Sequence, residues 1–298
     1  MILARKLKLI VSDEQHKVLI ETLDQYKKCV DRVFEYGFQN HLISGSTLHK
    51  ATYYELRNEY PNLPSALECC ARGKATEALK AIKKQTKNKW NTNCPKAGKF
   101  PAIRYNTTCC SIGKDTFAVA TIKNRIKLGI INNPFVKEDV KQFSTTCELF
   151  YRRGNWYLTV FVETHCEDLI PTKNILGIDR GIKNIAVCSN NQFFNSKKLK
   201  NVKGKYRYLR KKLQAKGTYS AKRLLKKLSG KENRFVKDTN HCISKQIVSL
   251  PFDTFVLEDL NIRTKKSNGR KFNTLLSGWS WFQLEQFITY KALLKGKK

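Results

Sequence analysis

Apolar and charged residues alternate through "ARKLKLIV" near the start of the chain, the period-two pattern of a strand with one buried face. Ser12 then opens "SDEQ", in which Gln15 completes a capping box, and Leu19, Leu23, Tyr26, Val30, Val33, Phe34 and Phe38 keep helical spacing to about Asn40. A second helical pattern begins near Ser65, after "YPNLP", and carries Leu67, Cys70, Ala75, Leu79 and Ile82 toward Trp90. Lys80, Lys83, Lys84, Lys87 and Lys89 gather at its end, a placement that suits a helix C-terminus, a solvated face or phosphate. From Phe100 to Glu163 the period returns to two in "TFAVATI", "RIKLGI" and "CELFYRRGNWYLTVFVE", the last turning at Arg153-Gly154-Asn155. The first half therefore reads as a β domain of residues 1–11 and 100–168, interrupted by a helical insert at 12–99. The linker-like "EDLIPTKN" places the boundary near Asp168.

The second half, residues 169–298, opens with "ILGIDRGIKNIAV", where Asp179 ends one apolar run and Gly181 leads into another. Leu209 with Leu213, and Leu224 with Leu228, lie at helical spacing on either side of "AKGTYS", which predicts two helices with apolar faces on a core and basic faces outward. "CISKQIVSLPFDTFVLEDLNI" predicts a helix ending before Pro251 and then a strand from Phe255 to Leu257. Glu258 follows that strand, so a second carboxylate ends a second apolar run.

Charge changes the picture most. Lys and Arg number 57 against 24 acids, and the resulting +33 attracts polyanions, with nucleic acid the first candidate. Lysine dominates, which favours contact with phosphates over bidentate reading of bases. Between Lys197 and Lys237 a single acid, Glu232, faces a dense run of cations. Arg207, Arg210, Lys211, Lys212, Lys222, Arg223, Lys226, Lys227 and Arg234 of that run are the candidate nucleic-acid contacts; a merely soluble surface would need balancing acids. The ten cysteines contain no C-x-x-C, which argues for reduced, packed thiols over a zinc site or a disulfide framework. No secretory signal is read at the N-terminus and no apolar run approaches a membrane span, so the expectation is a cytoplasmic, nucleoid-associated protein, or a nuclear one.

A charge beside a core is costly unless paired or metal-bound. Magnesium takes one or two carboxylates plus substrate phosphates, and two such ions can stabilise both oxygens of a phosphodiester cleavage. In an RNase H-like sheet the first and fourth strands lie side by side and parallel, which would bring Asp179 and Glu258 together. The alternative is that each acid caps a turn or pairs with a nearby lysine. Asp259 would point to the opposite face from Glu258. Asp238 and His241 sit on a predicted helix, where capping or packing explains them as well as a metal does.

"LGIDRGIKNIAV", "LRKKLQAKGTYSAKRLLKKLSGKENRFVKDTNHCISKQIV", "FVLEDLNI" and "WSWFQLEQFITYKA", in this order, resemble the RuvC half of TnpB, the transposon-encoded RNA-guided DNA endonucleases related to type V CRISPR effectors and Fanzor. "FPAIRYN" and "WYLTVFVE" extend the resemblance through the first half. It implies an α+β, or α/β, chain: an N-terminal β-barrel wedge with a helical recognition insert, then an RNase H-like RuvC domain. By motif match Asp179 and Glu258 would be magnesium (or manganese) ligands. The implied partners are a guide RNA from the transposon end and double-stranded target DNA with a short adjacent motif. The family pattern continues into a zinc ribbon of two C-x-x-C knuckles and a third catalytic aspartate, whereas this sequence ends at Lys298, so zinc is not expected. A truncated relative that binds guide RNA and DNA without cutting is the alternative to an active nuclease.

Overall fold

The computed structural model describes residues 1–85, 101–113, 115–131, 143–260 and 278–298, together with 90, 94, 98, 269 and 273. The chain divides into two compact units, Met1–Thr164 and His165–Lys298. Asp168, where the boundary was expected, lies just inside the second unit. The N–H of Glu167 donates to the Leu294 carbonyl (3.3 Å) and that of Ile170 to the Gly296 carbonyl (2.7 Å), so this stretch is already tied to the second unit. Gly296 permits the approach: its φ is +62°, and a Cβ there would stand 2.1 Å from the carbonyl oxygen of Asp168.

In the first unit β1 (Ile2–Ile10), β2 (Ile103–Asn106), β3 (Cys110–Ile112), β4 (Thr116–Ala120), β5 (Arg125–Ile130), β6 (Phe143–Arg152) and β7 (Asn155–Glu163) form one sheet, ordered β2-β6-β7-β1-β5-β4-β3. Its pairings are all antiparallel. The expected barrel is not closed by hydrogen bonds among the described residues, because the edge strands β2 and β3 do not pair with each other. The sheet nevertheless curls: Sγ of Cys110 on β3 lies 3.5 Å from Sγ of Cys147 on β6.

The insert carries α1 (Asp13–Gln39), α2 (Gly45–Glu59) and α3 (Ser65–Gln85). The capping box forms as the sequence predicts. The Gln15 N–H donates to Ser12 Oγ (3.2 Å), and the Ser12 N–H donates to Gln15 Oε1 (3.0 Å). Helix α2 was not expected. Its buried stripe is Leu48, Thr52 and Leu56, and the Thr52 hydroxyl at its centre donates to the Leu48 carbonyl (2.7 Å), so a polar residue interrupts the apolar period. Helix α3 is described as far as Gln85; the expected continuation toward Trp90, with Lys87 and Lys89, lies outside the described residues.

The second unit holds β8 (Ile175–Asp179), β9 (Asn184–Cys188), β10 (Phe193–Asn195) and β11 (Thr254–Leu257), in the order β10-β9-β8-β11. Strands β8 and β11 are parallel and the other pairings antiparallel. Helices α4 (Lys197–Lys216), α5 (Tyr219–Leu228), α6 (Lys231–Ser249) and α7 (Trp281–Leu294) accompany the sheet. Its core joins Leu176, Ile178 and Phe255 from the sheet to Ile247 of α6 and Leu284 and Ile288 of α7.

One expectation is corrected here. Helices α4 and α5 do not lay apolar faces on a core: α4 buries only Leu199, α5 only Ala221, and Leu224 is 44% exposed. With cations on nearly every turn, too few apolar residues remain to make a core-facing stripe. The two helices instead pack on each other, joined at Gly217 (φ +64°) and at Thr218, whose Oγ1 accepts from the Ala221 N–H at 3.3 Å.

Candidate functional site

Parallel pairing sets Phe255 beside Leu176, Val256 beside Gly177 and Leu257 beside Ile178. One step further along both strands stand Asp179 and Glu258, neighbours that share a face of the sheet because side chains alternate with period two. Leu176, Ile178 and Phe255 fill the core on the other face. The acids therefore lie on the open face, both exposed. Val187 of β9 stands opposite Asp179. With Gly177, Ser189 and Val256 these residues line a shallow cleft of about 450 Å³. The burial cost that the sequence suggested for a carboxylate at the end of an apolar strand does not arise, since both acids are exposed and their chain neighbours Ile178 and Leu257 turn to the core.

Arg180, the next residue, was not singled out by the sequence. It points into the protein, 3% exposed. Its Nη1 donates to Glu285 Oε2 (2.6 Å) and to the Trp281 carbonyl (3.2 Å), and its Nη2 donates to the backbone carbonyl of Glu258. One buried cation thus ties the end of β8 to the end of β11 and to the first turns of α7, and its carboxylate partner makes the burial tolerable. The available signal was period two itself: the residue after an outward Asp179 must face inward.

The other acids do not join the pair. Pairing of β11 ends at Leu257, and Asp259 is exposed beside Glu258. Asp238 is exposed on α6, and His241 stacks on Phe287 with ring centroids 3.9 Å apart. Burial, then Lys291 and Lys237, lowers the His241 pKa. Among the described residues no group of three or more His, Cys, Asp or Glu is arranged for a metal. Asp179 and Glu258 suit a hard divalent cation even so: two exposed carboxylates in adjacent register, neither in an ion pair among the described residues of a chain of net charge +33.

The nine basic candidates all lie on α4, α5 and the first turn of α6, and all are exposed. Arg210 pairs with Glu232 at 2.5 Å. None of the nine lines the carboxylate cleft. No helix of the described residues is long and apolar enough to cross a membrane.

Residues 159–268 match the OrfB_IS605 family, described as a probable transposase. The chain is 38% identical over 109 residues to a TnpB-like protein of Methanocaldococcus jannaschii, a match that covers 33% of this chain and 38% of that protein. The cryo-EM structure of a Cas12f1–sgRNA–target DNA complex shares the fold, with a TM-score of 0.68 over 96% of this chain and 73% of that one, at 14% identity. The family match and the relative each reach only part of the chain, and the likeness to the Cas12f1 complex is one of fold.

Proposed function

We propose that this chain acts in RNA-guided, magnesium-dependent cleavage of DNA, as a TnpB-type nuclease of transposon origin. The observation that carries the reading is the parallel register that stands Asp179 beside Glu258 on an open sheet face. These two carboxylates would hold magnesium or manganese, which when bound supplies an activated water and stabilises the charge that develops on the phosphate. Asp179 and Glu258 would provide the oxygen ligands, and Arg180, bonded to the Glu258 carbonyl and to Glu285, would hold the strand ends in place for them. Gly177 keeps the cleft floor low, so that a sugar-phosphate strand can lie across it.

The exposed cations of α4 and α5 would grip nucleic-acid backbone. A guide RNA and a target DNA duplex with a short adjacent motif are the partners proposed, in line with the sgRNA and target DNA of the Cas12f1 complex. The test is cleavage of a guide-matched plasmid by the purified chain with the RNA of its own locus, in magnesium or in EDTA, beside Asp179→Ala. Magnesium-dependent cutting that the substitution abolishes is the expected result. Guide-dependent binding without cutting would instead make the chain a recognition protein, and cutting that survives the substitution would remove Asp179 from the site.

A further inference from the structure

Lys200, Lys203, Arg207 and Arg210 stand three or four positions apart on α4 and so form one stripe along a single helix face. That stripe lines one wall of a pocket of about 370 Å³, with Glu232 of α6 and the indole of Trp279 among its other lining groups. Charge in this pocket does not balance. Glu232 is the one acid among its described lining residues and is already taken by Arg210 at 2.5 Å. Lys203 is the most confined of the cations: its Nζ donates to the Gly278 carbonyl and lies 5.7 Å from the centre of the Trp279 ring. Burial first, with Arg207 and Arg210 adding to it against the pull of Glu232, lowers the Lys203 pKa. Like charges gathered at the expense of their own ionisation favour an anion between them. Trp279 adds a flat apolar surface, for which a bare phosphate has no use.

We propose that this pocket holds one nucleotide of a single-stranded nucleic acid, its base against the Trp279 ring and its phosphate among Lys200, Lys203 and Arg207. The inference rests on the nucleic-acid reading above and gives it a specific seat, separate from the outward cations of α5. A duplex presents its phosphates but keeps its bases stacked inside; an unpaired base is free to reach an indole.

The test uses the full chain and a labelled oligouridylate of about 15 nucleotides, followed by anisotropy over a range of salt. Trp279→Leu should weaken binding about tenfold and leave the slope of log K against log salt unchanged, because a stack releases no counterions. Arg207→Ala, at an exposed position, should lower that slope by about 0.7. Since Trp279 also packs on the core of the unit, Trp279→Phe serves as the variant that keeps a ring. It should retain most of the affinity and lose the quenching of tryptophan fluorescence that the oligonucleotide causes in the unsubstituted chain. Unchanged affinity in Trp279→Leu, or undiminished quenching in Trp279→Phe, overturns the pocket while leaving the basic surface in place. Failure of the unsubstituted chain to bind the oligonucleotide overturns both.

Discussion

The guanidinium of Arg180 donates to the backbone carbonyl of Glu258, so the residue next to one proposed metal ligand holds the strand end that carries the other. The same guanidinium reaches Glu285 on α7, which joins the open face of the sheet to the helix behind it. The strand ends that carry both carboxylates are thus held from the buried side, while among the described residues neither carboxylate is in an ion pair.

Removing that cation should be expensive. Arg180→Met strands the Glu285 carboxylate and the Glu258 carbonyl, and is expected to destabilise the second unit by roughly 3 kcal/mol in urea denaturation. Glu285→Ala leaves the Arg180 guanidinium, 1% exposed, buried without its carboxylate and should cost a comparable loss of about 3 kcal/mol. A loss below about 1 kcal/mol from Glu285→Ala would show that the Glu258 and Trp281 carbonyls alone sustain the buried guanidinium.

Gly37 tests the packing of α1 on α3. Replacing a helical glycine by alanine ordinarily stabilises by about 1 kcal/mol. Here a Cβ would meet Leu79 Cδ1 at 2.5 Å, and Leu42 O and Leu48 Cδ2 at 3.1 Å. Overpacking of that kind costs about 1–3 kcal/mol, so Gly37→Ala should lower the melting temperature of the first unit despite the gain in propensity. A raised melting temperature would show that α1 and α3 can separate without penalty.

The sequence made the strands of the site legible because burial alternates along them. "ILGID" and "TFVL" each mark their inward face, and a carboxylate at the end of the first strand and one step beyond the second follows from counting. Arg180 was not legible as a tie, since its partners Glu258 and Glu285 lie 78 and 105 residues away. Helix α2 was hidden by Thr52, and β3 and β10 by having three residues each, too few to show a period. Leu209, Leu213 and Leu228 have helical spacing but are only half-buried in a helical pair, and spacing alone does not distinguish that from a core. Lys203 and Trp279 were likewise unconnected in the sequence, because a charge run does not say which of its faces closes a pocket.

His241 predicts a pH dependence. Its folded pKa lies below the ordinary value of 6.5, because burial, Lys291 and Lys237 disfavour the imidazolium while Asp238 only partly opposes them. The unfolded chain therefore takes up the proton first as pH falls, and the second unit should lose stability between 6.5 and the lower folded value. His241→Phe keeps a ring against Phe287 and should remove this component from denaturation curves at pH 7.5 and pH 5. An identical acid loss in the variant would place the effect on another group.

The central claim is that Asp179 and Glu258 share one divalent cation, and the direct measurement is manganese binding to the purified chain, read from the loss of the free-ion electron paramagnetic resonance signal. Asp179→Asn and Glu258→Gln should each weaken binding by about tenfold or more, as the site loses a charged ligand, while Asp259→Asn should leave it unchanged. Binding that survives either of the first two substitutions, or falls equally with the third, would contradict the pairing.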